Sequence, residues 1–226
     1  MFAKRLFDIV VSEILILLLS PFMILLALRI KLYDGGPVFY RGLRTGLGGK
    51  PFRIFKFRTM VLDAERFGPS TTASNDPRIT PIGRFLRRYK LDEIPQLFNV
   101  FLGQMSFVGP RPEVPSFTDL YTDEEKALLS LRPGITDWAS IWNRDEGAVI
   151  AASGIEDADA AYALLIRPTK LRLQLRYLRE RSFWIDIKIL FRTVAAVLDP
   201  AHDVSDIAPP PGSVKPIVGG HSDIHE

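Results

Sequence analysis

The segment from Ile9 to Leu28 limits what this 226-residue chain can be. Only Ser12, Glu13, Ser20 and Pro21 within it are not apolar. As a helix at about 1.5 Å per residue, it just reaches across a hydrocarbon core of about 30 Å. Glu13 is costly in lipid, and Pro21 removes a helix hydrogen bond and kinks the helix. Lys4 and Arg5 precede the segment and Arg29 and Lys31 follow it, so the positive-inside rule scores both flanks as cytoplasmic. A re-entrant helix that breaks at Ser20-Pro21 and returns meets all three constraints, with the Ser20 hydroxyl free to bond a carbonyl released by the proline. Read alone, the segment leaves a kinked span and an uncleaved signal anchor open as well. A cleaved signal peptide is not expected, because no small-residue cleavage site precedes Arg29.

No other segment is apolar enough to enter a bilayer, which excludes a polytopic membrane protein. The apolar fraction of 47% supplies a core for one main domain. There is no cysteine, so disulfides, thiolate zinc sites and cysteine nucleophiles are excluded. The three histidines, His202, His221 and His225, all stand late in the chain, so a histidine triad in the folded part is excluded too. Chemistry is left to carboxylates, hydroxyls, cations or an oxygen-bound metal. The net charge is only +3, but arginines outnumber lysines 20 to 9, and arginine suits bidentate phosphate binding.

Beyond a turn at Asp34–Pro37, Val38–Tyr40 and Pro51–Arg58 read as strands flanking a second turn at Gly46–Lys50, and they are expected to pair as a hairpin. Phe67–Pro77 reads as a loop. Helices are expected over Ile82–Lys90, Pro95–Leu102, Thr122–Leu131, Ile155–Leu165, Thr169–Arg181 and Phe183–Leu198. Val108–Pro115, with three prolines, reads as a rigid loop. The resulting fold class is helix-rich α+β with a small strand pair. Its parts are a membrane helix over 1–33, a catalytic domain over 34–199 and a disordered tail over 200–226.

Three constellations can carry chemistry. In Leu91-Asp92-Glu93-Ile94-Pro95-Gln96, Pro95 marks a helix start. Asp92 is then expected at or near the N-cap, where the helix dipole favours its ionised form. It is either a nucleophile or metal ligand, or merely a cap with Glu93 as a favourable first-turn charge. In Gly109-Pro110-Arg111-Pro112, two prolines restrict the backbone around one arginine, which suits an oxyanion grip or a plain turn. Lys56, Arg58, Arg84, Arg87 and Arg88 line a diphosphate site or face anionic headgroups. Nucleic acid is a poor partner for arginines that alternate with Phe and Leu behind a membrane segment. Neither a Walker loop nor a GxGxxG is present.

The order of these motifs is more telling than any one of them. Lys4-Arg5-Leu6-Phe7-Asp8, Ser20-Pro21, Gly36-Pro37-Val38-Phe39, Lys56-Phe57-Arg58-Thr59-Met60, Gly83-Arg84-Phe85-Leu86-Arg87 and Asp92-Glu93-Ile94-Pro95-Gln96 follow one another. Then come Gly103-Gln104-Met105-Ser106-Phe107-Val108-Gly109-Pro110-Arg111-Pro112, Arg132-Pro133-Gly134-Ile135-Thr136 and Asp186-Ile187-Lys188-Ile189-Leu190. From Lys4 to Leu198 the chain resembles the small monotopic phosphoglycosyl transferases, the bacterial sugar transferase family.

The resemblance implies transfer of a sugar-1-phosphate from a UDP-sugar to polyprenyl (undecaprenyl) phosphate, with release of UMP. It implies Asp92 as the nucleophile of a ping-pong reaction, Glu93 as the Mg²⁺ ligand, and Arg87 and Arg111 as phosphate holders. Lys56 and Arg58 are added from the basic strand. It also implies a re-entrant helix broken at Ser20-Pro21, and amphipathic helices seating the site on the cytoplasmic face of the bacterial inner membrane. Membrane lipids are then partners, and a homo-oligomer is allowed. Many members continue Gly-Trp-Ala-Gln after the Arg-Pro-Gly-Ile-Thr motif, where this chain has Asp137-Trp138-Ala139-Ser140. If that segment contacts the donor, the common hexose preferences do not carry over. Two rivals are a hydrolase using the same carboxylate, and a membrane-tethered scaffold with no chemistry.

Overall fold

The computed structural model describes residues 2–69, 71–199 and 204–208. Its first element, α1 (Phe2–Asp34), is 33 residues long and keeps Pro21 inside it. Pro21 has no N–H to offer Leu17, four residues back. The Ser20 hydroxyl donates to the Leu17 carbonyl instead, at 2.8 Å. One side of α1 is buried at Asp8, Ser12, Met23, Leu26 and Ile30, while Leu17, Leu18, Leu25 and Leu32 remain exposed. The buried side is held by polar bonds as well as packing. Asp8 Oδ1 accepts from the Ser106 hydroxyl and the Phe107 N–H, both at 3.2 Å.

The chain then forms β1 (Phe39–Tyr40), β2 (Leu43–Thr45), β3 (Pro51–Arg53) and β4 (Lys56–Phe57). β1 pairs antiparallel with β4 and β2 with β3. Phe39↔Phe57 and Leu43↔Arg53 keep one register, and Ile54 N–H bonds Gly42 O at 3.0 Å between them. The two pairs are therefore one hairpin interrupted near Gly42, closed by Gly46 N–H on Lys50 O.

Next come α2 (Pro81–Arg88) and α3 (Gln96–Phe101). Thr80 caps α2 through Gly83 N–H, and Pro81 occupies its first turn, where a missing N–H costs nothing. β5 (Ser106–Val108) is followed by α4 (Pro115–Thr118), α5 (Asp123–Lys126) and β6 (Gly134–Thr136). The helix expected over Thr122–Leu131 is instead a capped single turn, α5, running into a 3₁₀ turn at Ala127–Ser130. β6 lies parallel to β5, a pairing absent from the expected single hairpin. The last helices are α6 (Trp138–Trp142), α7 (Glu146–Ala152), α8 (Ala158–Leu165), α9 (Arg167–Glu180) and α10 (Phe183–Leu198). Helix-rich α+β stands, with three small strand pairs among the described residues rather than one.

The main core joins Val100, Met105, Trp142, Ile166, Tyr177 and Ile189, drawn from α3 through α10. A second cluster packs Met23, Leu26 and Ile30 of α1 onto Phe57 and Leu86. Burial of each such side chain is worth about 1.5–3 kcal/mol, so α1 is part of the fold and not an appendage. The tail reading needs one correction. Ile207 is buried against the main core, and Arg192 grips Asp206 through both carboxylate oxygens, so 204–208 is docked. The rest of the 200–226 tail lies outside the described residues.

α2 lies close to the strand before it. A Cβ built on Gly83 would strike the Thr59 carbonyl, part of the rigid backbone. Gly83→Ala is expected to cost about 1–3 kcal/mol by overpacking. The midpoint of thermal unfolding in detergent should fall by about 3–10 °C. An unchanged midpoint would mean that α2 can move off the strand freely.

Candidate active site

Asp92 and Glu93 sit in a 3₁₀ turn, Leu91–Glu93, between α2 and α3. Lys90 turns the chain into it with φ near +57°, left-handed backbone that is uncommon for a side-chain-bearing residue. Pro95 stands at the α3 cap position and no side chain caps α3. This corrects the reading of Asp92 as a cap, because it lies three residues earlier and leaves the helix N–H groups alone. The dipole argument for its ionisation falls with that reading.

The two carboxylates have opposite surroundings. Glu93 Oε1 accepts from Lys56 Nζ at 2.8 Å, and Arg111 forks across both Glu93 oxygens, 3.1 Å at Oε2. Burial opposes its charge, yet the Arg111 and Lys56 cations outweigh burial and hold Glu93 well below the usual carboxylate range. Asp92 is more deeply buried than Glu93, but among the described residues its Oδ1 has no hydrogen-bond partner. Burial pushes the Asp92 pKa up, opposed by Lys56, while the Glu93 charge pushes it further and Arg87 and Lys90 pull it down. An unpaired buried oxygen is costly and rare, which sets Asp92 apart from Glu93.

The cations come from three separate elements. Lys56 lies on β4, and its strand is fixed from below by Asn99. Asn99 Oδ1 accepts from Phe55 N–H at 2.8 Å, and its Nδ2 donates to Arg53 O at 3.0 Å. Burial lowers the Lys56 pKa, partly offset by Glu93. Arg87 projects from α2, with Nε bonded to Thr59 Oγ1 at 2.9 Å. Burial likewise lowers its pKa, partly offset by the Asp92 charge.

Arg111 rides on the loop after β5. Gly134 N–H bonds Pro110 O at 2.9 Å and Gly109 N–H bonds Thr136 O at 3.1 Å, which sews that loop to β6. A Cβ on Gly134 would strike the Gly109 backbone, so the approach requires glycine there. The charge of Glu93 raises the Arg111 pKa, despite burial.

Arg58 is placed elsewhere. It forks onto Asp34 at the end of α1 and bonds Pro37 O at 2.6 Å, which makes it a brace for α1. The hydrogen bond of Arg58 to Asp34 holds the Asp34 carboxyl down at about 2. Ser20 and Pro21 lie mid-way along α1, apart from this cluster. Sequence reasoning missed Lys90, Thr59 as the Arg87 anchor, and Asn99. Thr59 was visible only as a member of the Lys-Phe-Arg-Thr-Met motif.

Among the described residues no three His, Asp or Glu side chains cluster as a metal cage. Glu93 Oε2 carries a single hydrogen bond, and Asp92 Oδ1 none. That donor set suits an ion such as Mg²⁺, which takes one or two carboxylates and completes its shell with water and phosphate oxygens.

The bacterial sugar transferase family model matches residues 1–200. A UDP-glucose:undecaprenyl-phosphate glucose-1-phosphate transferase of Escherichia coli (strain K12) is 40% identical over 84% of this chain and 39% of its own length. An undecaprenyl-phosphate galactose phosphotransferase of Salmonella typhimurium is 37% identical over 87% of this chain and 40% of its own length. A UDP-N-acetylgalactosamine-undecaprenyl-phosphate N-acetylgalactosaminephosphotransferase of Aeromonas hydrophila is 35% identical, over 87% and 44%. The chain spans about two fifths of the length of these curated relatives. With its motifs in order and its carboxylates, lysine and arginines gathered at one turn, the chain belongs to the bacterial sugar transferase family.

Proposed function

We propose that this chain transfers a sugar-1-phosphate from a UDP-sugar to undecaprenyl phosphate through a covalent intermediate on Asp92. The observation that carries the reading is the division between Glu93, paired twice, and Asp92, with an oxygen left unpaired. Asp92 attacks the sugar-proximal phosphorus of the donor, forming a carboxylate–phosphorus bond as the bond to the nucleoside monophosphate breaks. UMP leaves with the bridging oxygen. A phosphate oxygen of the lipid then attacks the same phosphorus and returns the carboxylate to Asp92. Arg111, Lys56 and Arg87 hold phosphate oxygens throughout, by fork and point charge. Mg²⁺ on Glu93, when bound, supplies charge neutralisation for the diphosphate. The relatives divide among glucose, galactose and N-acetylgalactosamine donors, so the sugar is a question for a donor panel.

The membrane reading is a re-entrant helix at the cytoplasmic face. Both ends of α1 being tied to one domain supports it. Near the start, Lys4 reaches Asp186 at 2.6 Å and Val108 O at 2.7 Å, and Arg5 reaches Val100 O at 2.7 Å. At the other end Asp34 is gripped by Arg58. A span across the bilayer would pull one of these sets out of the domain. Trp184, Phe191 and Leu198 form an exposed apolar stripe along α10, suited to lying in the headgroup boundary.

Three expected outcomes test these statements. Single cysteines at Phe2 and Asp34, free of native cysteine background, should both be labelled only from the cytoplasmic side. Labelling from opposite sides would exclude re-entry. Incubation with the right UDP-sugar and Mg²⁺, without lipid, should release at most one UMP per site. The protein should then gain one phosphosugar in mass, on Asp92 and not in Asp92→Asn. UMP release that needs lipid, with no adduct, points to direct transfer with Asp92 as base or ligand, while free sugar phosphate points to the hydrolase.

The third outcome is a pH profile. Attack needs ionised Asp92, and its raised pKa moves the loss of activity to higher pH. With chemistry limiting, kcat/KM should fall on the acid side through an apparent pKa above about 3.9, the ordinary aspartate value. Replacing Lys56 by Met removes a cation that lowers that pKa, so the limb should move further up. A limb at or below the ordinary value in both forms would remove burial as the controlling effect.

A further inference from the structure

Asp137 is fully buried, and its two oxygens serve different purposes. Oδ1 accepts from the Ser140 N–H and the Ser140 hydroxyl, each at 2.7 Å, which caps α6. Oδ2 accepts from the backbone N–H of Arg111 at 3.2 Å and from Gln174 Nε2 at 2.9 Å. A residue needed only as a cap would require the first oxygen alone. Gln174, also fully buried, leaves its own Oε1 without a partner. Its place in the core is thus explained by the one bond it makes to Asp137, at a net cost to stability.

Gln174 belongs to a polar stripe on the inner side of α9. Lys170, Gln174 and Tyr177 follow at helical spacing, and all three are buried. Lys170 pairs with Glu113 at 2.5 Å, and the Tyr177 hydroxyl bonds Val108 O at 3.4 Å. The stripe therefore meets the loop that carries Arg111 before, at and after the arginine. Only the middle contact reaches Arg111 itself, and it does so through Asp137.

We infer that Asp137, braced by Gln174, is a positioning residue that sets where the Arg111 guanidinium meets the donor diphosphate. It acts on the Arg111 backbone, while Glu93 orients the side chain from the other end. The inference deepens the proposed phosphoryl transfer and rests on Arg111 holding phosphate there. Asp137 and Ser140 belong to the segment that departs from the common family pattern. The structure assigns the aspartate of that departure to arginine placement.

Asp137→Asn separates the two purposes. Asparagine still caps α6 through its carbonyl oxygen, but its NH₂ then faces two donors, Arg111 N–H and Gln174 Nε2. Two measurements on the full chain in detergent follow. Hydrogen exchange at the Arg111 amide should be at least about tenfold faster in Asp137→Asn than in wild type. UMP release from a UDP-sugar panel should fall by about fivefold or more, yet Asp137→Asn should cost less than about twofold when Arg111→Lys is already present. Ser140→Ala, which disturbs only the cap, should stay within about twofold of wild type in both measurements.

Unchanged exchange at Arg111 would overturn the inference. So would losses from Asp137→Asn and Arg111→Lys that simply multiply, because Asp137 would then act on the fold at large. If wild type releases no UMP from any donor, the transfer reading fails by itself, and the exchange measurement alone decides whether Asp137 anchors Arg111.

Discussion

The ion pair that Glu93 makes with Arg111 and Lys56 organises the rest of the site. Three stretches remote in sequence meet at this one carboxylate: the hairpin strand β4, the turn before α3 and the loop after β5. Buried cations must be paired, and removing one partner of such a set is far costlier than the set is worth as a whole. Without Glu93, Lys56 and Arg111 would face each other across a desolvated gap. The pair therefore fixes the relative position of β4 and the Arg111 loop. The neighbouring Asp92, by contrast, keeps a buried oxygen with no hydrogen-bond partner among the described residues.

The same logic links α1 to the site. Lys4, in the first turn of α1, donates to Val108 O, Tyr177 and Asp186 at 2.7, 2.9 and 2.6 Å. Val108 ends β5, directly before the loop that carries Arg111. At the far end, Arg58 follows β4, whose Lys56 reaches Glu93, and grips Asp34. The two ends of α1 thus brace the two strands that deliver the cations. A shift of α1 would reach the carboxylates through the ends of β4 and β5.

What could be read from the sequence follows the length of the signal. α10 has its expected bounds, because Ser182 caps a long apolar run. The hairpin was legible from its turn glycines and its alternating strand. The parallel pair β5–β6 was not, since three-residue strands carry no period, and their pairing depends on contact across a long intervening stretch. α6 and α7 begin at Asp137 and Asp145, caps that signal a helix only when a periodic segment follows, and these helices are too short to supply one. The carboxylate and arginine motifs located the site, but burial assigned the roles. Arg58 and Lys56 lie two residues apart at the end of one strand, and no sequence pattern says that one faces Asp34 and the other Glu93. Asp92 reads as a cap by spacing alone, and the left-handed Lys90 and the 3₁₀ turn that remove it from that position have no composition signal.

The pre-formed pairing also bears on how a diphosphate would be received. A guanidinium has five donors and an ammonium three. Arg111 commits the fork of two to Glu93 and Lys56 commits one, which orients both groups while leaving donors to spare. Arg87 spends its Nε on Thr59, which fixes one edge of its guanidinium. The orienting bonds are made before any ligand arrives, so little side-chain entropy remains to be lost on binding. The incoming phosphate charge would favour the cations as it approaches, whereas Asp92 would meet the phosphorus from a buried position with no hydrogen bond to break. A carboxylate held this way starts with its reactive oxygen already stripped of partners, and the cost was met when the Glu93 cluster folded.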